Sequence, residues 1–386
     1  MRCEGWRSSS IVDMVSFSPR ETLPKNKLAK KVAMEKLSPY QKAIDGFELS
    51  NFNGGTKFRN GDTLLARITP CLENGKTAKV SILEEGEVGF GSSEYIVMRN
   101  KPGITDADFV YYLATSPAFR ELAIKSMVGT SGRQRVQQDL IESVVMSFPP
   151  LPEQRAIAAT LSCLDDKIEL NNRMNKTLEE MAQAIFKSWF VDFEPFQDGE
   201  FVDSELGRIP KGWRVGTLGD FFPIITGKKN ANIASDKGTY PFFSCSQTIS
   251  FTDDFSFDAN AILVAGNGDF NVKSYNGKFE AYQRTYVLIP YDKLLVGFLY
   301  YAMKHFLNDI TSGYRGSVIK FITKSNLQDY KLALPPSFSN IEAITTMQSI
   351  LSSIAEIERQ TQMLVKIRDS ILPKLISGEI CVPLEV

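Results

Sequence analysis

Apolar residues recur at three- and four-residue steps over two long stretches, and the two stretches share one register. In the first, Ile157, Leu161, Leu164, Ile168, Leu178, Met181, Ile185 and Trp189 form the stripe, interrupted by Asn171 and Asn175. In the second, Met347, Ile350, Ile354, Ile357, Leu364, Ile367, Ile371 and Leu375 form it, interrupted by Thr361. One constant shift carries Leu161 onto Met347, Leu164 onto Ile350, Ile168 onto Ile354, Leu178 onto Leu364, Met181 onto Ile367 and Ile185 onto Ile371. The pattern predicts two helices of about 35 residues, roughly 50 Å long at 1.5 Å per residue, joined along a coiled-coil seam. The first helix leaves one globular region and arrives at the next. The second starts from that next region and has to run back, so the pair is antiparallel. Asn171 and Asn175 either pin the register as buried polar residues or lie at the edge of the seam in water, and Pro373 is expected to kink or end the second helix.

Outside these stretches the period shortens to that of strands, and the chain again reads as a duplicate. Gly5-Trp6-Arg7 with Ile11 and Asp13 returns as Gly212-Trp213-Arg214 with Leu218 and Asp220. Phe148-Pro149-Pro150 returns as Leu334-Pro335-Pro336, under the same shift that relates the helical stripes. The first echo needs a larger shift than the second, so the first globular half is the longer one. Thr63–Ile68 and Val88–Met98 read as extended, 108–113 and 119–128 as short helices, and 129–135 as a glycine-rich basic loop. The second half repeats this order with Ala261–Val264, Gln283–Ile289, the apolar stretch Leu294–Leu307 and the loop 311–317. The fold class expected is α+β: two strand-rich domains separated by a long antiparallel two-helix coiled coil, with a pseudo-two-fold internal repeat. The boundaries are 1–148 for domain one, 149–189 for the central helix, 190–211 for a linker, 212–334 for domain two and 335–380 for the C-terminal helix. A duplicated layout suits a partner that is itself nearly two-fold symmetric, and duplex DNA is the first candidate.

A chain of 386 residues with 43% hydrophobic residues supports two or three domains with proper cores. The formal net charge of −1 neither indicates nor excludes nucleic acid, because phosphate contact needs only a local basic face. The five cysteines, Cys3, Cys71, Cys163, Cys245 and Cys381, are widely spaced and form no C-x-x-C, and His305 is the one histidine, so no zinc site is expected. No apolar run reaches transmembrane length and no secretion signal is visible, so a cytoplasmic protein with reduced thiols and no membrane partner is expected.

No catalytic arrangement emerges. Asp62, Asp106, Asp108, Asp165, Asp166, Asp253 and Asp254 are scattered or belong to turns, and Gly266-x-Gly268 lacks the third glycine and βαβ context of a dinucleotide site. No cofactor or metal is expected in this chain. Local basic clusters are more informative. Domain one offers Lys57, Arg59, Arg67, Lys76, Lys79, Arg133, Gln134, Arg135 and Gln137 as DNA-contacting candidates. Domain two offers Lys228, Lys229, Asn271, Lys273, Gln283, Arg284, Arg315, Lys320 and Lys324. Arginine, glutamine and asparagine make paired hydrogen bonds to guanine and adenine edges, while lysine and arginine also hold phosphates. A scaffold joining two protein partners would use the same duplicated form. A self-contained methyltransferase or nuclease would need cofactor or metal residues that are not seen.

Several stretches resemble a known family. Leu206-Gly207-Arg208-Ile209-Pro210-Lys211-Gly212-Trp213 precedes domain two, and Pro149-Pro150-Leu151-Pro152-Glu153-Gln154 opens the first helix. Phe186-Lys187-Ser188-Trp189-Phe190-Val191-Asp192-Phe193 closes it, and Leu375-Ile376-Ser377-Gly378-Glu379-Ile380 closes the second. With these motifs the whole chain resembles the DNA-specificity (S) subunit of a type I restriction–modification system. Two departures stand out: Pro336-Ser337-Phe338-Ser339-Asn340 lacks the Glu-Gln pair, and the N-terminus keeps only Gly5-Trp6 of the Ile-Pro-x-Gly-Trp pattern. The resemblance implies a non-catalytic subunit whose two target-recognition domains each read one half of a bipartite duplex target. The helices would set the gap and dock two methyltransferase (M) subunits. It further implies S-adenosylmethionine in the M subunits, which methylate a flipped adenine, and ATP with Mg2+ in restriction (R) subunits.

Overall fold

The computed structural model describes residues 5–235, 237–312, 321–339 and 341–383. The chain forms two compact units, Met1–Asn172 with Gln360–Val386, and Arg173–Arg359. Two long helices are shared between them, Leu151–Phe190 (40 residues, the central helix) and Glu342–Ser377 (36 residues, the C-terminal helix).

In unit one a four-stranded antiparallel sheet has the order Val15–Phe17, Tyr95–Asn100, Thr63–Ala66, Thr77–Lys79. Its central strands are buried on both faces, and their period of two divides the side chains between two cores. Leu64 and Val97 enter one, while Leu65, Ile96 and Met98 enter the other, against the helix Ala107–Thr115 and the long helices. A second sheet has the order Glu48–Asn51, Leu28–Val32, Gly89–Gly91, Thr56–Phe58, with its middle pair parallel. The glycine-rich segment 89–91 therefore belongs to a different sheet from residues 95–100, although the sequence reads as one extended stretch.

Unit two uses the same device. Its six-stranded sheet is centred on Phe257–Ala265, where Ile262 and Val264 face one core and Ala261 and Leu263 the other. The helix Val296–His305 covers the first of these cores. The segment 190–211, read from sequence as a linker, carries a hairpin of Phe201–Ser204 with Gly207–Pro210, and Phe193 and Phe196 pack on Trp213. The two sequence echoes also find each other. Arg7–Ser10 pairs with Val145–Phe148, and Arg214–Thr217 pairs with Lys331–Leu334.

Within unit one the long helices run side by side in opposite directions. Asn171 Nδ2 donates to Thr361 Oγ1 at 3.1 Å, and Asp165 meets Arg368 at 2.8 Å. Ile157 and Leu161 share a core with Leu372, Leu375 and Ile376. In unit two Ala182 and Phe186 share a core with Met347, Ile350, Leu351 and Ile354. Among the predicted seam residues, Ile157, Leu161, Ile168, Met347, Ile350 and Ile354 are buried, and Leu164, Leu178, Ile185, Ile357, Leu364 and Ile371 half-buried.

Met181 and Ile367 correct the prediction: they are 50% and 42% exposed, and the interior positions are Ala182 and Arg368. A step of three or of four residues continues a helical stripe equally well. Hydrophobicity favours the three-residue step in the sequence, whereas the structure takes four in both units.

Pro373 does not end its helix, which continues to Ser377 with Leu372, Leu375 and Ile376 buried, then stops at Gly378 in the left-handed region (φ 71°). Cys71, Cys163 and Cys245 are free thiols. No helix among the described residues is long and apolar enough to cross a membrane.

Candidate nucleic-acid interface

In domain one the glycine-rich loop is closed at its base by reciprocal backbone bonds. Val128 N donates to Arg135 O at 3.0 Å and Arg135 N to Val128 O at 2.9 Å. Gly129 (φ 134°) has no room for a side chain, since a Cβ there would lie 2.9 Å from the Arg133 carbonyl oxygen. Residues 129–133 are all exposed, and Arg133 has no ion pair among the described residues. The strand ends next to the loop form a tight junction. Arg67 N donates to Glu94 O at 2.9 Å, Val136 N donates to Arg67 O at 2.9 Å, and Ile68 bridges Arg135 in antiparallel fashion.

Side chains at this junction form one cluster. Glu94 accepts from Arg135 Nε at 3.0 and 3.1 Å and from its Nη2 at 2.7 Å. Arg67 Nε lies 3.9 Å from the same carboxylate. The hydrogen bonds from Arg135, helped by the charge of Arg67, hold the Glu94 carboxyl below its ordinary range.

Domain two repeats the backbone of this junction with other side chains. Gly266 N donates to Arg284 O at 2.9 Å, Ile322 N donates to Gly266 O at 3.0 Å, and Asn267 bridges Phe321 in antiparallel fashion. Gly266, Arg284 and Phe321 thus occupy the slots of Arg67, Glu94 and Arg135. Arg284 is exposed with no side-chain partner among the described residues, and Phe321 is 46% exposed.

The remaining candidates divide by what already holds them. In domain one, Lys79 and Lys42 lie 2.6 and 2.7 Å from Asp108 Oδ1. Burial raises the Asp108 carboxyl, but the two lysines outweigh it and hold the group below its usual range. The Lys76 ammonium donates to Met34 O and that of Lys57 to Glu21 O, while Arg59 pairs with the buried Glu21 at 2.6 Å. Gln134 lends its carbonyl to Thr69 N, and Gln137 precedes the short helix Gln138–Ser143.

In domain two, Asn271 is buried and donates to Cys245 O and Asp269 O, and Lys273 donates to Ser246 O and to Asn271. Burial lowers the Lys273 ammonium, outweighing the nearby Cys245 and Asp269. Asn271 and Lys273 therefore tie down the 245–247 turn. Lys228, Gln283 and Lys324 are exposed, Lys229 is half-buried, and Arg315 and Lys320 lie outside the described residues.

Glu94, Glu21 and Phe321 were absent from the sequence-derived set. A carboxylate beside a strand reads as ordinary surface charge until the pairing of Thr63–Ala66 with Tyr95–Asn100 brings it to Arg67. Among the described residues no cluster of His, Cys, Asp or Glu is arranged to hold a metal ion.

The chain is 28% identical over 308 residues to the type I restriction enzyme MjaIX specificity subunit of Methanocaldococcus jannaschii, covering 72% of this chain and 70% of that protein. It is 38% identical over 178 residues to the EcoDI specificity subunit of Escherichia coli, but that match spans 45% of this chain and 40% of the relative. Among solved structures, the S subunit of a type I restriction-modification system from M. genitalium superposes with a TM-score of 0.59 at 18% identity, covering 96% of both chains, a likeness of fold. The family model of the type I restriction modification DNA specificity domain matches twice, over residues 3–180 and 210–366, once per repeat. The chain belongs to the type I restriction modification DNA specificity family.

Proposed function

We propose that this chain is the sequence-reading, non-catalytic subunit of a type I restriction–modification complex, and that its two strand-rich domains each read one half of a bipartite duplex target. The observation that carries this reading is the junction described above: one backbone frame built twice with unlike residues, exposing Arg135 in one copy and Arg284 and Phe321 in the other. A shared frame presents side chains to a shared kind of surface, and unlike side chains read unlike sequences. The exposed cations Arg59, Arg133 and Arg135 in domain one, and Lys228, Arg284 and Lys324 in domain two, are the first contact candidates, with Gln283 beside them. Arg67, Lys229, Gln134 and Gln137 stand behind them. Lys57, Lys76, Lys79, Asn271 and Lys273 act through the fold, because their polar groups are already bound.

The long helices pair as a coiled-coil spacer related by the internal repeat, set the gap between half-sites and dock two M subunits. S-adenosylmethionine belongs to those subunits, and ATP with Mg2+ to the R subunits. Co-expression with the M subunits, followed by mapping of methylated adenines in the host genome, tests the reading. A split motif with an unspecified gap is expected. Methylation at a continuous motif, or independent of this chain, would overturn it.

A further inference from the structure

Arg133 and Arg135 lie close together on one loop, yet the structure treats them differently. Arg133 is an exposed cation with no ion pair among the described residues. Arg135 is locked to Glu94 by three hydrogen bonds, all through one edge of its guanidinium, the edge formed by Nε and Nη2. A guanidinium has five N–H donors on a rigid plane. With the side edge occupied, the end edge formed by Nη1 and the outer hydrogen of Nη2 has no partner among the described residues, and 45% of the Arg135 side chain is exposed. Its orientation is fixed from both sides. The backbone of Arg135 is held to Val128, and that of Glu94 to Arg67, while Ser92 Oγ accepts from Glu94 N at 3.1 Å.

We infer that Arg135 reads a guanine in the half-site of domain one, with Glu94 as the positioning residue that aims it. Three considerations lead there. Glu94 offsets the charge of Arg135, leaving the Arg67–Glu94–Arg135 cluster with one net positive charge, which weakens Arg135 as a phosphate clamp but leaves its directional donors intact. The open edge presents two parallel N–H groups, and guanine alone offers two adjacent acceptors, O6 and N7, in the major groove. The equivalent slots in domain two hold Arg284 without a carboxylate partner among the described residues and an exposed Phe321. That set has no buttressed end edge, so the same position in the second half-site is read differently. Arg133, unpaired, is left as the phosphate contact of this loop.

This inference rests on the reading of domain one as a DNA reader, and the test separates the two. The full chain is assembled with its M subunits, and the target found from genomic methylation is varied one base pair at a time. In R135A and R135K, preference for one G·C pair in one half-site is expected to fall by about tenfold to a hundredfold, the range a lost bidentate contact gives. E94A should flatten the same position by a smaller factor, with every other position and the second half-site unchanged. R135K separates base reading from charge, since lysine keeps the charge and loses the paired geometry. Recovery of wild-type discrimination in R135K would mean a phosphate contact and overturn the assignment. Unaltered discrimination in E94A beside a clear loss in R135A would remove Glu94 from its role. If R133A, R135A and E94A all leave both affinity and the whole target unchanged, the reading of domain one itself fails.

Discussion

Replacing Arg368 by alanine tests how the two long helices are held together in unit one. The side chains of Arg368 and Asp165 are 9% and 5% exposed and lie 2.8 Å apart. Arg368 also donates to the Tyr40 carbonyl oxygen at 3.3 Å, and the Tyr112 hydroxyl donates to Asp165 at 2.7 Å. Burial works against the cation, but Asp165, together with the more exposed Asp369 at 2.8 Å, outweighs it and holds the guanidinium above its ordinary range. Removing one partner of a buried pair costs about 3–5 kcal/mol, because the other charge is stranded. Here Tyr112 still donates to Asp165, which puts R368A near the lower end, about 3 kcal/mol.

The repeat supplies the control. Under the shift that superimposes the two helical stripes, unit two holds buried Leu351 and Ala182 where unit one holds Asp165 and Arg368. D165L/R368A copies that apolar pair, and its cost falls to about 1 kcal/mol or less, since a well-packed apolar replacement strands no charge. Hydrogen exchange of the amides in 107–115 and 157–168 reads the stability of unit one within the intact chain. A double variant as unstable as the two single variants combined would refute the reasoning, as would an R368A effect below about 1 kcal/mol.

Three further outcomes are expected. Gly297 brings the helix Val296–His305 against the C-terminal helix, and a Cβ there would lie 2.7 Å from Gln348 N and 2.9 Å from Met347 C. G297A should therefore destabilise unit two by about 1–3 kcal/mol in thermal unfolding. Asp108 has its folded pKa depressed below the ordinary 3.8 by Lys42 and Lys79. Its stabilisation is present above the unfolded pKa and lost as pH falls through the folded one. D108N should lower the melting temperature at neutral pH and flatten its decline below about pH 4, and an unchanged acid limb would remove Asp108 from that role. R133A should weaken binding almost uniformly across sequences and reduce the slope of log affinity against log salt by about one.

The duplication and the helical stripes were legible because both are patterns of residue type. The register shared by the two stripes reports burial in two places at once, which is why it identifies the helices more firmly than any single motif. The one-residue displacement at Met181 and Ile367 was hidden, because the choice between steps of three and four depends on what faces the helix. The same limit conceals Arg368: a charged residue in an apolar stripe reads as surface until Asp165 is seen opposite. Basic clusters were visible as composition, but their commitments were not. Lys79 and Asp108, Glu94 and Arg135, and Glu94 and Arg67 are each far apart in sequence, and only the folded chain brings these partners together. Phe321 carries no charge to mark it in the sequence, and its slot is defined by backbone pairing with Asn267 that only the fold displays.

The most direct test of a spacer carrying two readers is to lengthen the spacer alone. One heptad of helix-forming sequence inserted after both Asn172 and Arg359 keeps the helical faces nearly in phase. The insertions add about 10 Å, close to three base pairs of duplex at about 3.4 Å each. Methylation mapping with the M subunits is predicted to return the same two half-sites with the gap widened by about three base pairs. An unchanged gap in an assembled, active complex would contradict the account.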